Sequence, residues 1–149
     1  MDNLDIRVAD DSDLPYLLEK DPHIAPDMLR RKVAAGEVLI ASASGQRVGY
    51  LRWGWFWDNV PFMNLLRLDA EWRRKGIGTR LVARWEADMR ALGADFVLTS
   101  TWASEEAQHF YRALGYQDIG GFVFPREPLE LMLYKRLDAQ RSAAEFARD

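Results

Sequence analysis

The chain has no cysteine, only two histidines and no long apolar run. Without cysteine it cannot form disulfides, thiolate metal sites or a cysteine nucleophile, and two histidines make a zinc site a poor expectation, so we expect no metal. A membrane-spanning helix needs about 18 consecutive apolar residues, and no run approaches that length. The N-terminal residues are acidic and lack the apolar core of a signal peptide. We therefore expect a cytoplasmic protein that does not bind membranes.

The formal net charge of −3 argues against a nucleic acid as the partner. Positive charge is nevertheless concentrated in one region. Seven cations fall within 24 residues: Arg67, Arg73, Arg74, Lys75, Arg80, Arg84 and Arg90. A basic cluster in an acidic chain favours a small polyanion as ligand. For Arg84 and Arg90, a solvated helix face is the simpler interpretation.

Hydrophobic periodicity predicts the element order β-α-α-β-β-β-α-β-α-β-β. The predicted strands cover 4–8, 37–42, 47–57, 61–69, 96–101, 116–124 and 128–137. The predicted helices cover 10–20, 26–35 and 76–92, with a short fourth helix that Ser104 caps and Gly115 ends. This is an α/β fold with a mixed sheet and a βαβ crossover in its middle. We expect one domain over residues 1–137 and a polar tail over 138–149.

A glycine motif stands where a predicted strand gives way to an amphipathic helix. It reads Arg73-x-x-Gly76-x-Gly78 and is followed by Thr79 and Arg80. Two glycines allow the backbone to curl, while the helix start offers free N–H groups and the positive end of the helix dipole. Such a segment binds phosphate or pyrophosphate well. An ordinary strand–helix turn is the alternative interpretation of the glycines alone.

A second motif lies downstream and reads Ser104-x-x-Ala107-x-x-Phe110-Tyr111-x-x-x-Gly115-Tyr116. The two motifs, in this order and separated by a strand, resemble the GNAT superfamily of N-acetyltransferases over residues 4–137. That family has Asn and Phe where this chain has Ser104 and Tyr116. The resemblance implies a GNAT-like acyl-CoA N-acyltransferase fold with acetyl-CoA as co-substrate.

The resemblance also implies roles for individual residues. Backbone groups of Leu66, Arg67 and Leu68 would hydrogen-bond the pantetheine arm. Ser104 would line that arm from its other side, with a shorter reach and fewer donors than Asn, and Tyr111 would lie beside the sulfur. The pyrophosphate would be held after Arg73 by the backbone N–H groups of Arg74, Lys75, Gly76, Ile77, Gly78 and Thr79.

Acetyl transfer to a primary amine needs a neutral amine, a donor for the developing oxyanion and a stabilised thiolate. The resemblance implies that the Leu68 N–H is the oxyanion donor and the Tyr111 hydroxyl is the acid. A phenol pKa near 10 and a thiol pKa near 8.5 are close enough for this role. The pattern alone favours a core position, because Tyr111 continues an apolar helical stripe, whereas its place after Phe110 in the matched motif favours the role of acid. The amine would attack directly in a ternary complex.

The general base and the acceptor stay open at this point. The strands predicted at 61–69 and 96–101 place no acid where family members often have one. The candidates are therefore Asp58, Asp69, Glu106, Glu130 or ordered water.

Trp53, Trp55 and Trp57 alternate along one predicted strand and would share a face. That face could bind a cationic amine of a small molecule or a protein, or it could be a packed sheet face or a homodimer interface.

Two other functions are alternatives to an acetyltransferase. A non-catalytic acyl-CoA-binding sensor is favoured by Ser104 and the missing base, and disfavoured by Tyr111. A nucleotide-binding βαβ domain is disfavoured because neither Gly-x-Gly-x-x-Gly nor Gly-x-x-x-x-Gly-Lys-Ser/Thr occurs. We therefore expect an acetyl-CoA-dependent N-acetyltransferase.

Overall fold

The computed structural model describes residues 3–137, so the predicted tail 138–149 lies outside the described residues. The strands are β1 (Leu4–Val8), β2 (Val38–Ala43), β3 (Gln46–Phe56), β4 (Val60–Leu68), β5 (Phe96–Trp102), β6 (Gln117–Phe122) and β7 (Glu130–Arg136). The helices are α1 (Leu14–Lys20), α2 (Pro26–Ala34), α3 (Ile77–Ala91) and α4 (Ala107–Ala113). Short 3₁₀ turns at Asp11–Asp13 and Ala70–Trp72 precede α1 and α3. The predicted element order is confirmed.

The strands form a mixed sheet in the order β1-β2-β3-β4-β5-β7-β6. β4 and β5 pair in parallel, whereas β1 with β2, β2 with β3, β5 with β7 and β6 with β7 are antiparallel. A parallel pair needs a long crossover, which α3 provides. The mixed α/β fold class is therefore confirmed. None of the helices in residues 3–137 has the length and apolar character needed to cross a bilayer.

The chain divides into two compact units. Among residues 3–137, the first comprises 3–54 and Leu65–Trp85, and the second comprises Trp55–Asn64 and 86–137. In the first unit, α1 and α2 cover one face of the sheet around an apolar cluster. Its buried members are Ala9, Leu17, Leu29, Val33, Val38, Ile40 and Tyr50. Burial of these side chains is the main force that holds α1 and α2 on the sheet.

A charged network fixes the start of α1 in the first unit. The buried Asp13 carboxylate accepts hydrogen bonds from Arg7 Nη1 at 2.7 Å, Arg7 Nη2 at 2.8 Å and Arg47 Nε at 2.6 Å. Burial alone would raise the pKa of Asp13, but the two guanidinium groups outweigh it and hold that pKa well below its usual range. The carboxylate thus links β1, β3 and the turn before α1.

A second buried carboxylate organises the second unit. Glu86 on α3 accepts hydrogen bonds from the Tyr116 hydroxyl at 2.9 Å and from Lys135 Nζ on β7 at 2.9 Å. Burial and the neighbouring Glu86 charge raise the pKa of Tyr116, so its hydroxyl stays protonated and donates. The tyrosine that replaces the family's phenylalanine therefore satisfies a buried acid.

Several local predictions were wrong. Ser104 does not cap α4, because the helix begins at Ala107 with Glu106 as its N-cap and Ser104 lies exposed in the preceding turn. Leu18 and Leu92 are exposed, although the apolar spacing of residues 14, 17 and 18, and of 85, 89 and 92, predicts a buried position for both. Arg84 is not simply solvated, since its Nη1 donates to the Ile6 carbonyl at 2.7 Å.

Candidate functional site

The end of β4 is held closely against β3. The Asp69 N–H donates to the Val48 carbonyl at 2.8 Å, and backbone groups alternate between the two edges of a strand. Leu66 and Leu68 therefore direct their backbone groups away from β3. The Arg67 carbonyl lies on the β3 side, 2.8 Å from the position that a Cβ at Gly49 would take. This geometry favours Leu66 and Leu68, rather than Arg67, as backbone partners for a ligand.

The glycine loop, residues 73–79, follows the 3₁₀ turn after β4. Arg74 and Gly76 both have left-handed backbone, with φ of +61° and +83°. The first hydrogen bond into α3 runs from the Arg80 N–H to the Gly76 carbonyl at 3.2 Å. Three N–H groups come before this first bonded residue and have no acceptor within the helix, namely those of Ile77, Gly78 and Thr79. Open space surrounds Gly76, where a Cβ would contact nothing within 4 Å.

Positive charge surrounds the glycine loop. Arg73, Arg74, Lys75 and Arg80 are all exposed, and none forms a salt bridge with a carboxylate among residues 3–137. Arg73 Nε donates to the Leu68 carbonyl at 3.1 Å, which links the loop to the end of β4. Lys75 Nζ lies 5.6 Å from the centroid of the Trp72 ring, a cation–π contact. Free N–H groups and unpaired cations together suit a phosphate group.

Tyr111 lies in α4, in the second unit, with 6% of its surface exposed. Its ring contacts Phe110 and Tyr116, with centroids 5.2 and 5.7 Å away. Burial raises the pKa of Tyr111 to about 12, and the Thr99 side chain lowers it only in part. The side chain is therefore a core residue, as its periodicity predicted, and its hydroxyl is protonated at neutral pH.

The four candidate bases differ in their surroundings. Asp58 and Glu106 are exposed, and Glu130 is half-buried. Asp69 directly follows Leu68, and its carboxylate accepts the Tyr16 hydroxyl at 3.3 Å and lies 3.7 Å from Lys20 Nζ. No sequence motif indicated Tyr16 or Lys20, because their approach to Asp69 depends on how α1 packs on the sheet.

The three tryptophans do not share one face. Trp53 is 6% exposed and contacts the Trp85 ring at 6.4 Å, whereas Trp55 is 46% exposed and Trp57 78%. β3 ends at Phe56, and Trp57 lies in the turn with φ of +54°. Strand alternation stops at that point, so the prediction fails for Trp57. Trp53 is a core residue, as the packed-face alternative proposed.

Comparison with known proteins decides the family. The model of the acetyltransferase (GNAT) domain family matches residues 34–118. The chain belongs to the GNAT acetyltransferase family. The resemblance inferred from the two motifs is therefore confirmed.

Individual known proteins are also similar to this chain. A blasticidin-S acetyltransferase from Streptomyces morookaense is 35% identical over 89 residues, which are 54% of this chain and 61% of that protein. This chain thus matches less than two thirds of that relative's length. Ard1 from Thermoplasma volcanium has a TM-score of 0.77 at 14% identity, over 89% of this chain and 97% of Ard1.

The acetyltransferase YncA from Salmonella typhimurium, solved with its cofactor acetyl-CoA, has a TM-score of 0.76 at 18% identity, over 94% of this chain and 97% of YncA. At such low identities these two solved structures show a shared fold.

Proposed function

We propose that this GNAT protein transfers the acetyl group of acetyl-CoA to a primary amine by direct attack in a ternary complex. The observation that carries the proposal is the glycine loop. It combines N–H groups without intrahelical acceptors, open space at Gly76 and exposed unpaired cations, in a chain of the acetyltransferase family. These features fit the phosphates of a coenzyme A ester.

The residues after β4 would hold the co-substrate. The N–H groups of the glycine loop, residues 73–79, would bind the pyrophosphate, with Arg73 and Arg80 adding positive charge. Leu66 and Leu68 would bind the pantetheine arm through backbone groups that point away from β3. Ser104 would line the arm through its hydroxyl, as the family motif implies.

Acetyl-CoA supplies an activated thioester. The Leu68 N–H would donate to the carbonyl oxygen as negative charge develops there, and the Tyr111 hydroxyl would donate to the departing sulfur. With the pKa of Tyr111 at about 12 and a thiol pKa near 8.5, complete proton transfer is uphill by about 5 kcal/mol. Tyr111 would therefore stabilise the thiolate mainly by a hydrogen bond. The closer match expected from the unperturbed phenol and thiol pKa values does not hold for this buried phenol.

Substitution at the glycine loop tests this proposal. In Gly78→Glu, a carboxylate at the first turn of α3 would repel the phosphates, and acetyl-CoA binding measured by calorimetry should be lost. Ala83→Glu is the matched control, because it places the same charge on the exposed side of α3 beyond the first turn. Circular dichroism verifies that both variants fold. Unchanged affinity in folded Gly78→Glu would refute the assigned site.

A free-thiol assay over a panel of primary amines tests the reaction. Release of coenzyme A with one amine class would establish transfer and identify the acceptor. Binding of acetyl-CoA without thiol release over the whole panel would contradict the proposed enzyme and support an acyl-CoA-binding module.

A further inference from the structure

Arg52 is a buried cation on the helix-covered face of the first unit. Alternate residues of a strand share a face, and Tyr50, two residues before it on β3, belongs to the cluster beneath α1 and α2. Only 8% of the Arg52 side chain is exposed. A guanidinium in this position requires hydrogen-bond acceptors, because an unsatisfied buried charge is strongly unfavourable.

The protein supplies hydrogen-bond acceptors for only some of the N–H groups of the Arg52 guanidinium. Its Nε donates to Asp21 Oδ2 at 2.9 Å, while Asp21 Oδ1 accepts the His23 N–H at 3.1 Å. A guanidinium has five N–H donors, and the Nη1 and Nη2 groups of Arg52 have no acceptor among residues 3–137. Neither Nη atom is sealed from solvent. The outer side of this guanidinium is therefore available to an acceptor that the protein does not supply.

Arg67 brings a second cation to the same face. Leu65 on β4 packs against the cluster beneath α1 and α2, so Arg67, two residues further along the strand, lies on that face as well. Arg67 is exposed and has no carboxylate partner among the described residues.

The charges around the Tyr50 hydroxyl do not balance. Burial raises the pKa of Tyr50, Asp21 and Asp69 raise it further, and Arg67 and Arg52 lower it, so all four charges act on one hydroxyl. Asp21 is paired with Arg52, and Asp69 lies beside Lys20. The charge of Arg67 is left uncompensated, which favours an anionic group at this place.

We propose that Arg52 and Arg67 bind a carboxylate on the acceptor, so that the substrates are primary amines that also carry a carboxylate. The inference rests on the proposed acetyl transfer, since Arg67 directly precedes Leu68. Guanidinium groups bind carboxylates through paired N–H donors and are the best-suited side chains for this purpose. The acceptor's carboxylate would then be held beside the residue that is proposed to meet the acetyl oxygen.

Matched substrate pairs test the inference. The ω-amino acids from glycine to ε-aminocaproate are each compared with the alkylamine of the same length. At the chain length that is used best, kcat/KM for the amino acid should exceed that for the alkylamine by at least about ten-fold. One charge-assisted hydrogen bond corresponds to an effect of this size. Equal use of amino acid and alkylamine at every length would overturn the inference.

Substitutions test whether the two arginines cause the preference for the amino acid over the alkylamine. Arg67→Gln should reduce the ratio of kcat/KM values towards one, and Arg52→Lys should reduce it while keeping a cation beside the buried Asp21. Arg31→Gln, an exposed arginine on α2, should leave the ratio unchanged. A ratio that survives Arg67→Gln would refute the assignment, because a merely structural loss affects both substrates of a pair alike.

A binding experiment separates this inference from the proposed function. Each amine is titrated calorimetrically into protein saturated with coenzyme A. If no amine releases thiol but the amino acids still bind more tightly than the alkylamines, and Arg67→Gln removes that preference, the enzyme proposal fails and the carboxylate site stands. If thiol is released and the paired amines bind equally, the enzyme proposal stands and the carboxylate site fails.

Discussion

Tyr111 combines a packed ring with a hydroxyl for which we propose a catalytic role. Its ring is buried against two aromatic neighbours, and the same burial raises the pKa of its hydroxyl to about 12. A phenol in this state cannot act as a base at neutral pH. It can donate a hydrogen bond to a departing thiolate, so packing prepares the group for its proposed role.

Removal of the Tyr111 hydroxyl should slow the reaction without unfolding the protein. Tyr111→Phe keeps the ring contacts, so the free energy of unfolding should change little, while kcat should fall by about 10²-fold, the lower end of the range for an acid catalyst. The affinity for acetyl-CoA should be retained. Steady-state kinetics and urea unfolding measure these quantities. Tyr134→Phe on β7 is the control, and equal rates in both variants would return Tyr111 to a purely structural role.

The pH profile tests the same residue independently. A raised pKa keeps the phenol protonated up to about pH 12, whereas the acceptor amine becomes more reactive as it loses its proton. The value of kcat/KM should therefore rise from about pH 7 to about pH 10 with no falling limb. A falling limb in that range, absent from Tyr111→Phe, would show that the hydroxyl ionises earlier than its burial implies.

At the scale of elements, the glycine loop could be predicted from sequence because its physics is local. Arg73, Gly76 and Gly78 stand at fixed spacing before a periodic helix, and the free N–H groups of a helix start need no distant partner. The failed cap at Ser104 has the opposite cause. Two turn residues, Glu105 and Glu106, separate Ser104 from α4, and nothing in the spacing distinguishes a turn from a first helical turn.

Other site features depend on tertiary packing and could not be predicted. The charge on Asp69 meets Tyr16 and Lys20 of α1 only after α1 has packed on the sheet. The pairing of Asp21 with Arg52 joins residues that are far apart in sequence. A single sequence contains no periodic signal for such contacts, because helix and strand patterns report which face is apolar but not which neighbour it meets.

Gly49 controls how closely the end of β4 approaches β3. A Cβ there would lie 2.8 Å from the Arg67 carbonyl oxygen and would overlap the Leu68 side chain. Gly49→Ala should therefore shift the Leu68 backbone, reduce stability by about 1–3 kcal/mol and lower kcat more than it weakens acetyl-CoA binding. Urea unfolding and steady-state kinetics measure both effects. Gly45→Ala, at the preceding turn, is a control that costs stability through its left-handed backbone (φ of +83°) but adds no contact within 4 Å, so its kcat should be retained. An unchanged kcat in Gly49→Ala would show that this contact does not position Leu68.

At the scale of the whole molecule, element order followed from the sequence, but strand order did not. The two terminal strands do not add to the sheet in chain order, because β7 lies between β5 and β6. Both orders satisfy the same alternation of apolar and polar residues, so the choice depends on long-range pairing. The buried Glu86, with its partners on β7 and beside β6, is one contact that favours the observed order.

The distribution of charge gives a prediction about binding. The chain has a net charge of −3, so in the proposed complex the phosphates of coenzyme A would be attracted by the local cations of the glycine loop rather than by the molecule as a whole. Exposed charges are screened strongly by salt, since the Debye length falls from about 14 Å to about 4 Å between 0.05 M and 0.5 M ionic strength. The Kd for acetyl-CoA should therefore rise by about ten-fold over this range, as measured by calorimetry.

The same titration can assign the electrostatic contribution to single residues. Arg80→Gln should weaken binding at low salt and flatten the salt dependence, because one of the attracting charges is gone. Arg90→Gln, at the other end of α3, removes an equal charge from the chain and should leave the slope unchanged. If both variants flatten the slope equally, the attraction comes from the net charge of the molecule. If only Arg80→Gln does so, the attraction is local, and an acidic protein binds a highly anionic co-substrate through the cations at one helix start.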